Sequence, residues 1–296
     1  MPLPPPPPPF NYSSVASFHP IAPDTHFQSD CCGGLLDYNG WLHVFFLCKA
    51  PTGHSWCHLA TQNLVDYTAY NDPTEPMGGT GSVQPLPDGS VLAIMNDFKE
   101  AGISTDAQLR TWHATPMTYA LDTAREYRDT ARPLQSADGT WYSHVGCNAG
   151  ASAEAAICQF RAENKRLNNW TFDRAIWSYN KTLFGRDANF GEVPDFYPLT
   201  SPSGKQRHVI QTCTVRQPGI AGARCPPECN GDAACCNLNA GWIVHAVEYV
   251  VGEWSADGSE FKALTRGVMD YVSDAFSICR TLNLANLERT VAGPVV

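Results

Sequence analysis

Acidic residues at three separated positions of this 296-residue chain stand beside aromatic residues and glycines. Residues 127–130 read Tyr-Arg-Asp-Thr, residues 191–196 read Gly-Glu-Val-Pro-Asp-Phe, and Asp30 precedes Cys-Cys-Gly-Gly. Cleavage of a glycosidic bond uses such a set, because one carboxylate attacks the sugar, another protonates the leaving oxygen, and aromatic faces stack on the ring. The sequence shows no phosphate-binding glycine loop, serine nucleophile elbow or zinc-binding helix motif. We therefore expect neither a cofactor nor a metal ion.

Short apolar runs alternate with turn signals along most of the chain, and these runs must position the carboxylates. Turns are predicted at residues 38–40, 87–89, 137–139, 203–204 and 256–258. Between them lie strand-length runs rich in β-branched or aromatic residues: Trp41–Cys48, Ser90–Met95, Thr140–Val145, His208–Thr212 and Ile243–Val251. This pattern predicts an all-β sandwich, barrel or propeller and does not choose among them. The turn spacing, roughly 40 to 60 residues, would suit propeller blades.

Two segments interrupt this rhythm. Residues 1–25 are rich in Pro, Ser and Ala and are predicted to form a tail. Residues 214–241 contain Cys225, Cys229, Cys235 and Cys236 and are predicted to be a loop insertion. We favour disulfides there over a zinc site, because Cys-x3-Cys followed by Cys-Cys is a poor spacing for tetrahedral coordination.

Charge and cysteine content bear on partners and compartment. The net charge is −9, with no basic stretch that interleaves aromatic residues, so we expect no nucleic-acid partner. No run approaches the roughly 18 apolar residues needed to span a bilayer, so we expect no membrane insertion. No export signal is visible, but twelve cysteines and three Asn-x-Ser/Thr sites favour an exported or vacuolar protein. The oligomeric state is not indicated.

Three stretches resemble the catalytic domain of glycoside hydrolase family 32, the β-fructofuranosidases, invertases and fructan-active enzymes. Residues 26–46 and 56–67 are similar to the family's opening motifs, and residues 79–89 to W-S-G-S-x-T followed by L-P-D-G. Residues 127–130 resemble F-R-D-P, with a D-G-x-W turn behind them at 138–141. Residues 191–199 resemble W-E-C-P-D-F-Y-P-L. The order and spacing of these motifs agree with the family.

The resemblance implies a retaining mechanism on sucrose or a fructan, with a small carbohydrate as the partner. Glu192 would be the general acid and then the base, Asp129 would stabilise the transition state, and Asp30 would be the nucleophile. The substrate would contact Gln28, Trp56, Ser82 and Arg128.

The first motif departs from the family pattern. Counted without a gap from the 38–40 turn, Cys31 occupies the nucleophile position; one extra residue in the turn makes Asp30 the nucleophile instead. The W-M-N lead-in is missing. Two alternatives to an active hydrolase therefore stay open: a fructoside-binding propeller without catalysis, and a fragment of a longer enzyme.

The resemblance also implies the architecture, a five-bladed β-propeller over residues 26–296. Residues 268–271 with 274–276 resemble the start of the fifth blade. Because about twenty residues follow, we expect that blade to be incomplete and no C-terminal β-sandwich to be present. We favour truncation as the explanation.

Overall fold

A computed structural model describes residues 34–50, 53–70, 79–148, 155–179, 190–201, 203–216 and 243–270. All regular structure within these ranges is β, in four sheets. The all-β prediction is confirmed. The predicted tail and the cysteines at 225–236 lie outside the described residues, as do Gln28 and Asp30.

The first two sheets are antiparallel meanders of four strands each, in which every strand pairs with the next. The first comprises β1 (Gly34–Tyr38), β2 (Trp41–Ala50), β3 (Gly53–Thr61) and β4 (Tyr67–Tyr70). The second comprises β5 (Gly81–Pro85), β6 (Val91–Met95), β7 (Glu100–Ser104) and β8 (His113–Ala114).

The third sheet is larger because two short strands join its meander. Its strands are β9 (Thr118–Ala120), β10 (Tyr127–Thr130), β11 (Leu134–Gln135), β12 (Trp141–Asn148), β13 (Ala155–Ala162) and β14 (Asn169–Tyr179). β9 pairs in parallel with the outer strand β14, which covers a sheet edge that would otherwise expose unpaired backbone groups. A buried disulfide between Cys147 and Cys158 links β12 to β13.

The fourth sheet is again an antiparallel meander, of β15 (Phe190–Thr200), β16 (Gln206–Arg216), β17 (Ile243–Trp254) and β18 (Phe261–Asp270). Residues 268–270 belong to β18, so their assignment to a fifth blade was wrong. Residues 271–276 lie outside the described residues.

All five predicted strands are present, as β2, β6, β12, β16 and β17. The turns that join them depend on left-handed backbone where the sequence predicted turns. At the β1–β2 hairpin, Asn39 and Gly40 have φ of 52° and 75°, the geometry of a two-residue hairpin whose twist matches its strands. The strand β6 is buried along its whole length, as expected for a strand with sheets on both of its faces.

Sheets stack on one another through hydrophobic clusters between consecutive sheets. One cluster holds Phe45, Trp56 and Met95, and the next holds Ile94, Phe98 and residues of the third sheet such as Phe160. The first strands β1, β5, β10 and β15 contact one another in succession. Four meanders with their first strands around a common axis are the arrangement of consecutive β-propeller blades.

Glycines allow the third and fourth sheets to approach closely. A Cβ at Gly146 on β12 would overlap the carbonyl oxygen of Gly191 on β15 and lie 3.1 Å from the Arg128 carbonyl oxygen. Both obstacles are backbone atoms, which cannot rotate away. This contact brings the segments that carry Arg128 and Glu192 side by side.

We expect Gly146→Ala to lower the free energy of unfolding by about 3 kcal/mol, the upper range for overpacking a filled interior. Gly204→Ala is the control: its Cβ meets nothing within 4 Å, so only its φ of 79° is unfavourable, at about 1 kcal/mol. Denaturant unfolding of both variants measures the difference. Equal losses would contradict the proposed backbone contact.

Candidate active site

Asp129 occupies a β-bulge in the innermost strand of the third sheet. Arg128 pairs with Gly146 and Thr130 pairs with Val145, so Asp129 is the extra residue on β10. Its φ of 63° is left-handed, a conformation that Asp tolerates better than most residues. A bulge of this kind redirects a side chain that a regular strand would place elsewhere.

The backbone N–H and the side-chain carboxylate of Asp129 each form a hydrogen bond with a neighbouring blade. Its backbone N–H, which the bulge removes from the strand ladder, donates to Oδ1 of Asp97 at 2.7 Å. Its own Oδ2 accepts the backbone N–H of Val193 at 2.9 Å. Asp129 is only 3% exposed, so these contacts fix a carboxylate in a nearly enclosed position.

A second bulge directly follows Glu192. On β15, Glu192 pairs with Cys213 and Asp195 pairs with Gln211, so two residues oppose the single Thr212. Val193, inside this bulge, has a φ of 43°. The Thr212 hydroxyl donates to the Glu192 carbonyl oxygen at 2.8 Å, which holds the irregular strand in place.

Arg128 lies between Asp129 and Glu192, two of the three predicted catalytic carboxylates. Its Nε is 3.5 Å from Oε1 of Glu192 and 4.0 Å from Oδ1 of Asp129. The Glu192 side chain keeps 15% of its surface exposed and Arg128 keeps 39%, so this cluster opens towards solvent on the Glu192 side. The structure therefore brings Glu192 next to Arg128 and Asp129, although Glu192 comes from a different sequence motif.

The sequence analysis did not identify Asp97 as a site residue. Burial and the negative charge of Asp129 raise the pKa of Asp97 to about 6, against the opposing effects of the Asp129 N–H, Lys99 and Arg128. The available signal was weak, since Asn96-Asp97 after a predicted strand indicates an ordinary turn. Only proximity to Asp129 distinguishes this aspartate.

Ser82 and Trp56, both predicted to contact substrate, are enclosed by protein. The Ser82 hydroxyl donates to the Ala131 carbonyl oxygen at 3.1 Å. The Trp56 ring is fully buried, and its Nε1–H donates to the Gly79 carbonyl oxygen at 2.6 Å. These contacts support the loop that leads into β5, and direct contact of either side chain with a sugar stays a prediction.

No set of three or more potential metal-ligating side chains forms a cation site within the described ranges. The neighbouring carboxylates at this site are instead compensated by the guanidinium of Arg128. In the same part of the chain, no helix is long and apolar enough to cross a membrane.

Comparison with known families agrees with this geometry. Residues 20–293 match the model of the glycosyl hydrolases family 32 N-terminal domain. The chain belongs to glycosyl hydrolase family 32. The resemblance drawn from the motifs around Asp129 and Glu192 is thereby confirmed.

Similarity to individual members of this family is distant. The insoluble isoenzyme 2 of β-fructofuranosidase from rice, Oryza sativa, is 24% identical over 216 residues, which cover 63% of this chain and 34% of the rice protein. This chain therefore spans about a third of the length of the curated relatives it matches.

Solved structures show the same fold at low identity. Fructan 1-exohydrolase IIa from Cichorium intybus superposes with a TM-score of 0.59 at 19% identity, covering 81% of this chain and 44% of that one. The β-fructofuranosidase of Schwanniomyces occidentalis, complexed with fructosyl-erythritol, gives a TM-score of 0.53 at 16% identity, covering 84% of this chain and 48% of that one.

The raised pKa of Asp97 makes stability depend on pH. An aspartate whose pKa is about 6 when folded and about 3.9 when unfolded binds its proton more tightly in the folded state. The free energy of unfolding should therefore fall as pH rises from about 4 to about 6, by roughly 2–3 kcal/mol.

Asp97→Asn removes this titration and keeps an oxygen that can accept the Asp129 N–H. The difference in unfolding free energy, variant minus wild type, should increase from pH 4 to pH 6 and then level off. Urea unfolding at about pH 4, 5, 6 and 7 tests this. Parallel curves for the two proteins would contradict the assignment.

Proposed function

We propose that this chain is a retaining glycosidase of β-fructofuranosidase type, which cleaves or transfers β-fructofuranosyl units of sucrose or a fructan. The observation that carries the proposal is the convergence of Asp129 and Glu192 on Arg128, from two bulged inner strands of adjacent blades. Membership of family 32 and the printed activities of its relatives support the substrate class.

Glu192 is proposed as the general acid and base. It would protonate the glycosidic oxygen as the leaving group departs, and would then take a proton from the water or sugar hydroxyl that attacks. Its partial exposure supports this role, because the proton must reach both a substrate oxygen and an incoming acceptor. Arg128 would orient the carboxyl group.

Asp129 is proposed to stabilise the oxocarbenium-like transition state by binding fructosyl hydroxyl groups. Its burial and its bond to the Val193 N–H support this role, since a carboxylate fixed before substrate arrives need not reorganise during the reaction. Asp129 would act while ionised.

Asp30 is proposed as the nucleophile that forms a bond to the anomeric carbon as the leaving oxygen is released. Attack by water or a sugar hydroxyl on the same carbon would then free the carboxylate. A retaining pair requires about 5–5.5 Å between this carboxyl group and that of Glu192. Gln28, Trp56, Ser82 and Arg128 are proposed to line the fructosyl site, with no metal or cofactor involved.

The remaining proposals concern the rest of the molecule. We propose that the propeller has five blades and that residues at about 214–241 form a cysteine-rich insertion. An exported or vacuolar location is supported by the Cys147–Cys158 disulfide, and by the fact that Cys57 and Cys213 each take part in a disulfide of their own, because such bonds persist in oxidising compartments. Neither nucleic acid nor a membrane is proposed as a partner.

Fructose release from sucrose, inulin and levan tests the activity. We expect turnover by the wild type, a kcat about 10²- to 10⁴-fold lower for Glu192→Gln, and about 10²- to 10³-fold lower for Asp129→Asn. Glu163→Gln is the matched control, because Glu163 is an exposed glutamate whose ion-pair partner is Arg161. Its kcat should equal that of the wild type.

The altered motif around Asp30 favours one second candidate, a fructoside-binding propeller without catalysis. It predicts saturable binding of fructosides in calorimetry and no product. Turnover that is abolished by Asp30→Asn would reject this candidate. Folded wild-type protein that releases no fructose from any of the three substrates would reject the hydrolase.

A further inference from the structure

The bulge at Asp129 creates a backbone donor that its own strand cannot satisfy. The residue on either side of Asp129 is paired with β12, and the extra residue is not. A buried N–H without an acceptor is destabilising, because it has given up its hydrogen bond to water. The acceptor comes from the second blade, where Oδ1 of Asp97 lies 2.7 Å from the Asp129 nitrogen.

The loop that presents Asp97 is itself held in an unusual conformation. Asn96, Asp97 and Phe98 are consecutive non-glycine residues with φ of 48°, 58° and 68°. Three left-handed residues in a row persist only where the surroundings impose them, and such segments cluster at functional sites. The conformation requires an anchor on each side of Asp97.

Phe98 supplies one anchor and Asn96 the other. The Phe98 ring is fully buried against rings of the third blade, with centroid distances of 4.7 Å to Phe160 and 5.3 Å to Trp170. The Asn96 N–H donates to the Thr80 carbonyl oxygen at 3.0 Å, at the entrance to β5. Asp97 is thus presented to Asp129 by a loop clamped between two blades.

The groups that face Asp97 are Asp129, Arg128 and the Lys99 ammonium, whose Nζ lies 3.9 Å from Oδ2. Lys99 is largely exposed, so the enclosed neighbour is Asp129. Repulsion between the two carboxylates favours a proton on Asp97, in agreement with its raised pKa. A protonated Asp97 still accepts the Asp129 N–H through Oδ1 without placing a second negative charge beside the site.

We propose that Asp97 is a positioning residue for Asp129, which fixes the bulged backbone so that the Asp129 carboxylate meets the Val193 N–H and the fructosyl site. This role rests on the proposed fructosyl-transfer function. Asp97 acts through Asp129 and need not touch the substrate. Because transition-state contacts depend on placement more steeply than ground-state binding does, its loss should appear mainly in kcat.

Asp97→Gly is the most informative variant. Glycine adopts a φ of 58° without strain, so the loop can keep its course while the acceptor is lost. We expect kcat on sucrose or inulin to fall about tenfold or more and KM to change less than about threefold. The melting temperature should fall by several degrees, because the buried Asp129 N–H loses its acceptor. Asp97→Asn retains an acceptor oxygen and should recover most of kcat at about pH 6.

Asp138→Ala is the control for loss of an aspartate that accepts a backbone N–H in a turn. Asp138 accepts the Thr140 N–H at 2.9 Å in an exposed hairpin, so this variant should lose stability and keep kcat. Wild-type turnover with an unchanged kcat for Asp97→Gly would overturn the positioning role and leave the hydrolase intact. A kcat for Asp97→Asn as low as that for Asp97→Gly would also overturn it. Folded wild type without turnover would overturn both proposals.

Discussion

The site depends on one constraint, that backbone donors freed by a bulge must find acceptors away from water. Asp129 and Val193 both lie in bulges of inner strands, and in each case a carboxylate from the preceding blade accepts the N–H. Asp97 of the second blade holds Asp129 of the third, and Asp129 holds Val193 of the fourth. Strand irregularity, which redirects the side chains, is thereby coupled to contact between blades.

The energies of these hydrogen bonds are large enough to hold the bulged backbone in place. A left-handed φ costs a non-glycine residue about 1–2 kcal/mol. The bond from the Asp129 N–H to a protonated Asp97 contributes about 0.5–1.5 kcal/mol, and the bond from the Val193 N–H to the Asp129 carboxylate contributes about 1.5–3 kcal/mol. Together these two bonds offset the cost of the Asp129 φ of 63°. Arg128 adds a compensating charge between Asp129 and Glu192, which would otherwise repel each other at close range. The absence of a side chain at Gly146 lets the two strands approach closely enough for these contacts.

The carboxyl groups at this site have different surroundings. Asp129 is nearly enclosed, Glu192 is partly exposed, and Asp97 lies beside Asp129 with a raised pKa. Environments that differ over a few ångströms allow chemically similar groups to take different protonation states and hence different roles. A β-propeller can place carboxyl groups in such different environments, because each inner strand contributes a residue from a different part of the chain.

Much of this molecule can be read from its sequence. Strand-length apolar runs rich in β-branched or aromatic residues, next to turns such as 87–89 and 137–139, predict strands that the structure contains, because local chemistry suffices to identify them. The motifs around Asp129 and Glu192 also identify the family from local sequence, because the residues of each motif are adjacent in the chain. The end of the fourth blade was misassigned, since pairing of residues 268–270 with β17 is not a local property.

Only the tertiary structure decided which side chains meet. Asp97 lies 32 residues from Asp129, and Val193 lies 64 residues away, so no local pattern connects them. In the sequence Asp97 is indistinguishable from turn aspartates such as Asp138. Its importance arises from a bulge on another strand, whose N–H turns towards Asp97 only once β10 has paired with β12 and the blades have packed together.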